Sequence, residues 1–556
     1  MKRKTVSLAV SMALVGSATG PGTAQAATEW SWSQTPAVTV FEPTDGSIAG
    51  VPMVSAVPVA GNEQKAVLYA WVRNDDVGSA GPTTGLKRST DGGQTFSPGF
   101  TQTDSSFATA ARVRDGSIVD VAFIPESIAN STTVNMRVKR STDDGVTWIR
   151  VPSTFATNSG FTWGGMNRGL RVNPGMIQDG AGNLYISYYT RYTGDVGTRT
   201  EVAISRDLGR TWQRHGPIIT ASNGQQYDEA GIAWAPTGEM VAVVTQDEIV
   251  SAGSPRKHIK LITARSTNGA QWTGHKVLPL SFSPGYQFRP DAAGTVRYGI
   301  NPSLNLLGNG AMTLVFGRPD NWFAISTDGG RSFTQARRTY VNYPQSGNPY
   351  HGSSGNGNHA VIDTDTVIVS GDNCAPTWGC PAADNGWTID DRYRVWRKFI
   401  TVNRPSTGTK LDLRGMADTG RLSVDTNLTA TNPRAPETGV RGAFDGDITP
   451  ASSAIRPAGA GGASTYTLKL DHAYNLTELG LSLHPGLLAS ATVESSVDGQ
   501  HWTPIPFAGG AFDNIRSLSL DYRRVAGNGV TASQVRFTVD DPNGPALLNE
   551  LEVFVA

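Results

Sequence analysis

Five copies of one short motif punctuate the chain and constrain its fold more than any other feature. Four are intact: Ser89-Thr-Asp-Gly-Gly-Gln-Thr-Phe96, Ser141-Thr-Asp-Asp-Gly-Val-Thr-Trp148, Ser205-Arg-Asp-Leu-Gly-Arg-Thr-Trp212 and Ser326-Thr-Asp-Gly-Gly-Arg-Ser-Phe333. A fifth, Ser266-Thr-Asn-Gly-Ala-Gln-Trp272, is one residue shorter and carries an amide for the acid. The residues Asp91, Asp143, Asp207, Asn268 and Asp328 lie 52, 64, 61 and 60 positions apart, which fits one four-stranded antiparallel unit plus its loops rather than a helical repeat. Each copy reads as a hairpin tip. Its short polar side chain can bond nearby backbone N–H groups, its Gly supplies a left-handed residue, and its Trp or Phe packs the turn against the sheet.

Ahead of the boxes the same order recurs: an apolar strand, a turn with Asp or Gly, then a second apolar strand. Asn173–Arg191 and Asn301–Arg318 are the clearest cases, and similar hairpins start near Val51, Phe107, Tyr227 and Asn358. With 63 Gly, 32 Pro and only 17% charged residues, the composition suits a turn-rich all-β chain. The motif resembles the Asp-box of the sialidase-like β-propeller superfamily. The resemblance and the six hairpins together imply a six-bladed β-propeller over residues 28–403. The sixth unit lacks a box.

At 556 residues, more than one domain is expected. The start reads as a secretory signal peptide over 1–27, with basic Lys2, Arg3 and Lys4, an apolar stretch, and small residues ending at Ala27. That implies a secreted, extracellular protein. Cleavage there removes three basic residues and leaves 44 basic against 47 acidic, a balance that recruits neither nucleic acid nor an anionic membrane. Cys374 and Cys380 are expected to form a local disulfide; a metal site would need more ligands than the nearby Asp372.

Around Asn403–Thr409 the pattern breaks, so residues 404–420 read as a linker. From 421 to 556 the chain resembles a discoidin or coagulation-factor type β-sandwich. The resemblance rests on Phe444-Asp-Gly-Asp-Ile-Thr449, Tyr466–Asp471, Glu494–Thr503 and Leu548–Val553. It implies a jelly-roll, galactose-binding-like module that binds carbohydrate at one end, or a structural appendage. Asp445 and Asp447 are too few to define a calcium site, so no cofactor is expected.

In such a propeller the site lies opposite the box tips, where innermost strands begin and second strands end. Arg73, Arg191 and Arg318 each follow a second strand and could hold a substrate carboxylate through paired N–H···O bonds, which Lys cannot match. Arg168 and Arg171 offer a second cationic cluster. Tyr227 could stack against a pyranose ring, as could Trp163, Trp322 and Tyr298. By resemblance, Glu229 matches the residue that activates a Tyr nucleophile, and Asp76 or its neighbour Asp75 the acid/base. Two departures stand out: Gly50 occupies the place of a carboxylate-binding Arg, and the expected nucleophilic Tyr has no counterpart near Gly355–Ala360. His359 stands there instead, as a candidate acid or base.

The leading expectation is an exo-acting sialidase-like glycoside hydrolase that releases a terminal, acidic sugar from a glycan or polysaccharide, working as a monomer. Two alternatives differ in chemistry. A polysaccharide lyase would use His359 or a Tyr to remove the proton alpha to a uronate. A non-catalytic sugar-binding propeller would act through avidity.

Overall fold

The computed structural model describes residues 29–44, 49–59, 62–73, 84–103, 107–162, 169–249, 258–286, 298–317, 321–340, 355–373, 394–430, 441–444, 454–455, 463–483, 488–516, 520–540 and 547–556. The expected signal peptide, Asp75, Asp76, Trp163, Arg168, Arg318, Cys374, Cys380, Asp445 and Asp447 lie outside them.

Up to Asn403 the described elements are all strands, in six antiparallel-based sheets. The first holds Gly50–Val59, Asn62–Val72, Thr84–Ser89 and Thr101–Thr103, and the second Phe107–Arg112, Ile118–Ala122, Val138–Ser141 and Ile149–Val151. Leu170–Gln178, Leu184–Thr190, Arg199–Ser205 and Thr211–Ile219 form the third, which Thr154–Ala156 extends in parallel along its outer edge. The fourth is Gln225–Trp234, Met240–Glu248, His258–Ser266 and Thr273–Val277; the fifth is Ile300–Leu306, Met312–Gly317, Asn321–Ser326 and Phe333–Tyr340. In these five, the four principal strands come from one stretch of chain. The sixth is composite: Asn358–Val361, Thr366–Asp372 and Val395–Asn403 are completed by the N-terminal strand Ser31–Gln34, whose Trp32 pairs with Val402.

The innermost strand of each sheet lies against that of the next, and Asn358–Val361 lies against Gly50–Val59, so the arrangement is propeller-like and closes on itself. Stacking around a ring covers both faces of each sheet. Central strands such as Leu184–Thr190 and Met312–Gly317 are accordingly buried at every position rather than alternating. The apolar clusters bridge neighbours: Trp212 joins the second and third sheets, and Trp322 the fourth and fifth.

The boxes form the turns their chemistry requires. In the second sheet, Asp143 accepts from Ser141 Oγ at 2.8 Å and from Thr147 N at 2.8 Å, while Gly145 N donates to Ser141 Oγ at 2.8 Å. Burial works against the Asp143 charge, but the Thr147 and Ser141 donors outweigh it and hold the carboxyl at about 2. The same turn occurs where no propeller sheet exists. Ser496-Val-Asp-Gly-Gln-His-Trp502 has Gly499 N on Ser496 Oγ at 2.8 Å and His501 N on Asp498 Oδ1 at 2.9 Å. The motif therefore encodes a hairpin tip whatever the sheet around it.

Antiparallel order places the boxes and the turns between first and second strands at one end of each sheet. The starts of innermost strands lie at the other. At the box end, side chains of one sheet reach carbonyls of the next around the axis: Lys65 Nζ to Val361 O at 3.1 Å, Arg112 Nε to Pro58 O at 2.6 Å, Gln178 Nε2 to Arg112 O at 2.7 Å and Trp234 Nε1 to Gln178 O at 2.8 Å.

Beyond Asn403 a separate set of strands shares one apolar cluster, built around the 20-residue strand Ser464–Leu483 with Val530–Asp540 and Leu547–Val555. Residues 404–420 are not a free linker. Thr409–Lys410 pairs with Val555 and Phe554, and the helix Leu413–Asp418, capped by Asp412 on Gly415 N at 2.9 Å, buries Leu413 and Met416 in that core. This C-terminal domain rests on the box end of the propeller. Leu520 packs against the core shared by the fourth and fifth sheets, the Tyr522 hydroxyl donates to Gly308 O, and Thr364 Oγ1 donates to Glu550 Oε1 at 3.0 Å.

Candidate active site

At the end opposite the boxes, Glu229 sits half-buried in the innermost strand of the fourth sheet, where a bulge shifts the register between Tyr227 and Ala230. A bulge re-aims a side chain out of the strand's regular alternation. Glu229 Oε2 accepts from Asn301 N of the fifth sheet at 2.8 Å, and Asn301 Nδ2 donates to Gly357 O of the sixth at 3.1 Å. Asn301 has φ 45, a conformation that Asn tolerates better than most residues.

A matching contact closes the ring between the sixth and first sheets. Val51 N donates to Asp372 Oδ2 at 2.9 Å, with Val51 at φ 46. A β-branched residue in that region is strained by about 1–3 kcal/mol, so the surrounding contacts must hold it there. Next to it Val54 N donates to Asn358 Oδ1 at 3.1 Å. The Asp372 carboxylate adds to burial in pushing the Tyr69 hydroxyl well above its usual range. Carboxylates from the fourth and sixth sheets thus each hold a left-handed residue at the start of the next innermost strand.

The expected arginine cluster is not assembled among the described residues. Arg73 lies 5.1 Å from the Phe100 ring centre, on the aromatic packing of its own sheet. Arg191 is exposed, and its Nε donates to Asp195 O in its own loop at 3.2 Å. Arg171 is buried at the start of the third innermost strand, 4.9 Å from the Phe123 ring centre, with Nη1 3.4 Å from the Tyr189 hydroxyl. Of the proposed cations among the described residues, it alone combines burial with a position at this end.

Tyr227 is not a sugar platform. It is buried in the cluster between the third and fourth sheets, its hydroxyl 3.2 Å from Gln246 Nε2. Trp322 is likewise packed inside. His359 also departs from expectation: it is buried, with Nδ1 2.9 Å from Ser303 Oγ and Nε2 2.8 Å from Thr313 Oγ1. Burial lowers its pKa to about 3 despite the contact with Thr313. Both ring nitrogens are engaged and the ring is neutral at ordinary pH, so His359 does not suit acid–base work there.

His359 lines a cavity of ≈ 170 Å³ on the axis, walled by all six innermost strands through residues such as Ser55, Thr109, Gln178, Trp234, Asn305 and Asn358. This cavity occupies the middle and box-side half of those strands. Glu229 and Arg171 stand nearer their starts, so the candidate site lies at the mouth and not in the cavity.

Asp372 and Asn301 escaped the sequence reading as site residues. Asp372 ends the second strand of the sixth sheet, the same position that drew attention to Arg73, Arg191 and Arg318 elsewhere, and that rule could have found it. Among the described residues no group of three or more His, Cys, Asp or Glu could hold a metal ion, and no helix is long and apolar enough to cross a membrane.

Fold and site together define an all-β, propeller-like protein with a carboxylate held at its open end. No family model and no curated protein matches the chain. Among solved structures, it is similar to the α-L-arabinanase of Penicillium chrysogenum complexed with arabinobiose (14% identity, 66% of this chain and 98% of that one, TM-score 0.44). It is also similar to the GH93 α-L-arabinofuranosidase of Fusarium graminearum (13%, 67% and 98%, TM-score 0.43) and to a Hadza microbial sialidase (17%, 65% and 68%, TM-score 0.43).

Proposed function

We propose that the protein is a secreted, carbohydrate-active six-bladed propeller enzyme, a glycoside hydrolase that removes a terminal sugar from a glycan or polysaccharide. The observation that carries this reading is Glu229: a half-buried carboxylate at the mouth, fixed by the Asn301 N–H and bordered by three sheets. One oxygen is oriented by the main chain, so the carboxylate enters the reaction already positioned to accept a proton or stabilise developing positive charge. Asp76 is its proposed acid partner, and Arg171, Arg168 and Arg318 are the proposed contacts for an acidic group on the sugar. The C-terminal domain, as a discoidin-like sandwich, would add affinity for polymeric substrate.

The position of His359, locked between Ser303 and Thr313, weighs against a lyase that uses it as the base and leaves that route to a Tyr. Product analysis on terminal glycosides and acidic polysaccharides tests the reading. A released monosaccharide that disappears in Glu229→Gln supports it. An unsaturated product absorbing in the ultraviolet indicates a lyase, and binding without product indicates a lectin; either overturns it.

A further inference from the structure

The contact between the propeller and the C-terminal domain is built from ionisable groups rather than apolar side chains alone. Glu550, Glu552 and Glu478 on the domain are each at most 3% exposed. Arg404 ion-pairs with Glu478 and lies 3.8 Å from the Tyr522 ring centre, and Lys410 ion-pairs with Glu552. Lys410 also faces Asp365 and Glu550. Glu550 meets the propeller through the Thr364 hydroxyl in the turn between the first two strands of the sixth sheet, where Asp363 and Asp365 add further negative charge.

We propose that Glu550 is a proton-controlled latch: as a neutral carboxylic acid it lets the C-terminal domain seat on the turns of the fifth and sixth sheets, and its ionisation at alkaline pH loosens that seat. The groups facing it are Thr364 and Asp363 from the sixth sheet, Lys410 from the strand Thr409–Lys410, Arg414 from the helix, and Glu552 on its own strand. Burial raises the Glu550 carboxyl to about 8, with Glu552 and Asp363 pushing the same way against Lys410 and Arg414. Because the seated form binds the proton more tightly than a free carboxylate does, its support for seating is full in acid. That support is lost as pH rises through about 8.

Small-angle scattering and calorimetry on the full chain at about pH 6 and about pH 9.5, at constant ionic strength, test the latch. The expected result is an increase in radius of gyration and a split into two unfolding transitions at the higher pH. Glu550→Gln, which keeps the shape and an acceptor for Thr364 but cannot ionise, is expected to stay compact at both. A wild type equally compact at both values, or a Glu550→Gln variant that expands as the wild type does, overturns the proposal.

Discussion

The main-chain N–H of Asn301 donates to Glu229 Oε2 at 2.8 Å, joining the only carboxylate assigned to the chemistry among the described residues to the first turn of a neighbouring innermost strand. The contact orients one carboxylate oxygen through the main chain.

The Asp372–Val51 contact is the structural counterpart of that bond. Asp372→Ala leaves the buried Val51 N–H without its carboxylate acceptor in a strained conformation. The expected loss is about 1–3 kcal/mol, read as a lower urea midpoint with an unchanged slope.

His359 is expected to matter for acid stability and not for the pH profile of turnover. Its folded pKa of about 3 lies below the unfolded value of 6.5, so its contribution is present above pH 6.5 and drains away as pH falls toward 3. His359→Gln should flatten the fall in stability over that window while leaving activity within about fivefold; a lost limb in the kcat/KM profile would contradict this placement.

The box carboxylates give a second, more acidic window. Asp143, held at about 2 by Thr147 and Ser141, stabilises the fold above the ordinary carboxylate range and loses that role as pH drops through about 2. The group is only partly buried, so solvent screening limits Asp143→Ala to about 1 kcal/mol at neutral pH, measured by denaturant titration. Activity should be unchanged, since the turn lies at the opposite end from Glu229.

Arg404 offers the sharpest test of the domain contact. Arg404→Ala would strip the buried Glu478 of its ion-pair partner and uncover the faces of Tyr522 and Phe554. A loss of about 3–5 kcal/mol is expected, seen as early unfolding of the C-terminal domain in calorimetry.

Much of the architecture was legible because it depends on local chemistry. The box turns follow from Ser, Asp and Gly at fixed offsets, and all six hairpins begin close to where their apolar runs start. The closing strand Ser31–Gln34 was not legible, because four residues with one buried side chain carry no periodic signal. Nor was the role of Thr409–Lys410 and the helix Leu413–Asp418, whose packing is set by partners more than a hundred residues away. At the site, Glu229 was singled out by resemblance at the start of the fourth unit. Arg73 and Arg191 misled because each found a partner in its own sheet or loop, and His359 because its hydroxyl partners lie on two strands of the neighbouring fifth sheet.

The most direct measurement is the steady-state turnover and sugar affinity of Glu229→Gln against the wild type, on the terminal glycoside that the wild type cleaves best. The account predicts a fall in kcat of at least about a thousandfold with affinity kept within about tenfold, since the amide still accepts the Asn301 N–H but cannot take a proton. Full activity in that variant would contradict it.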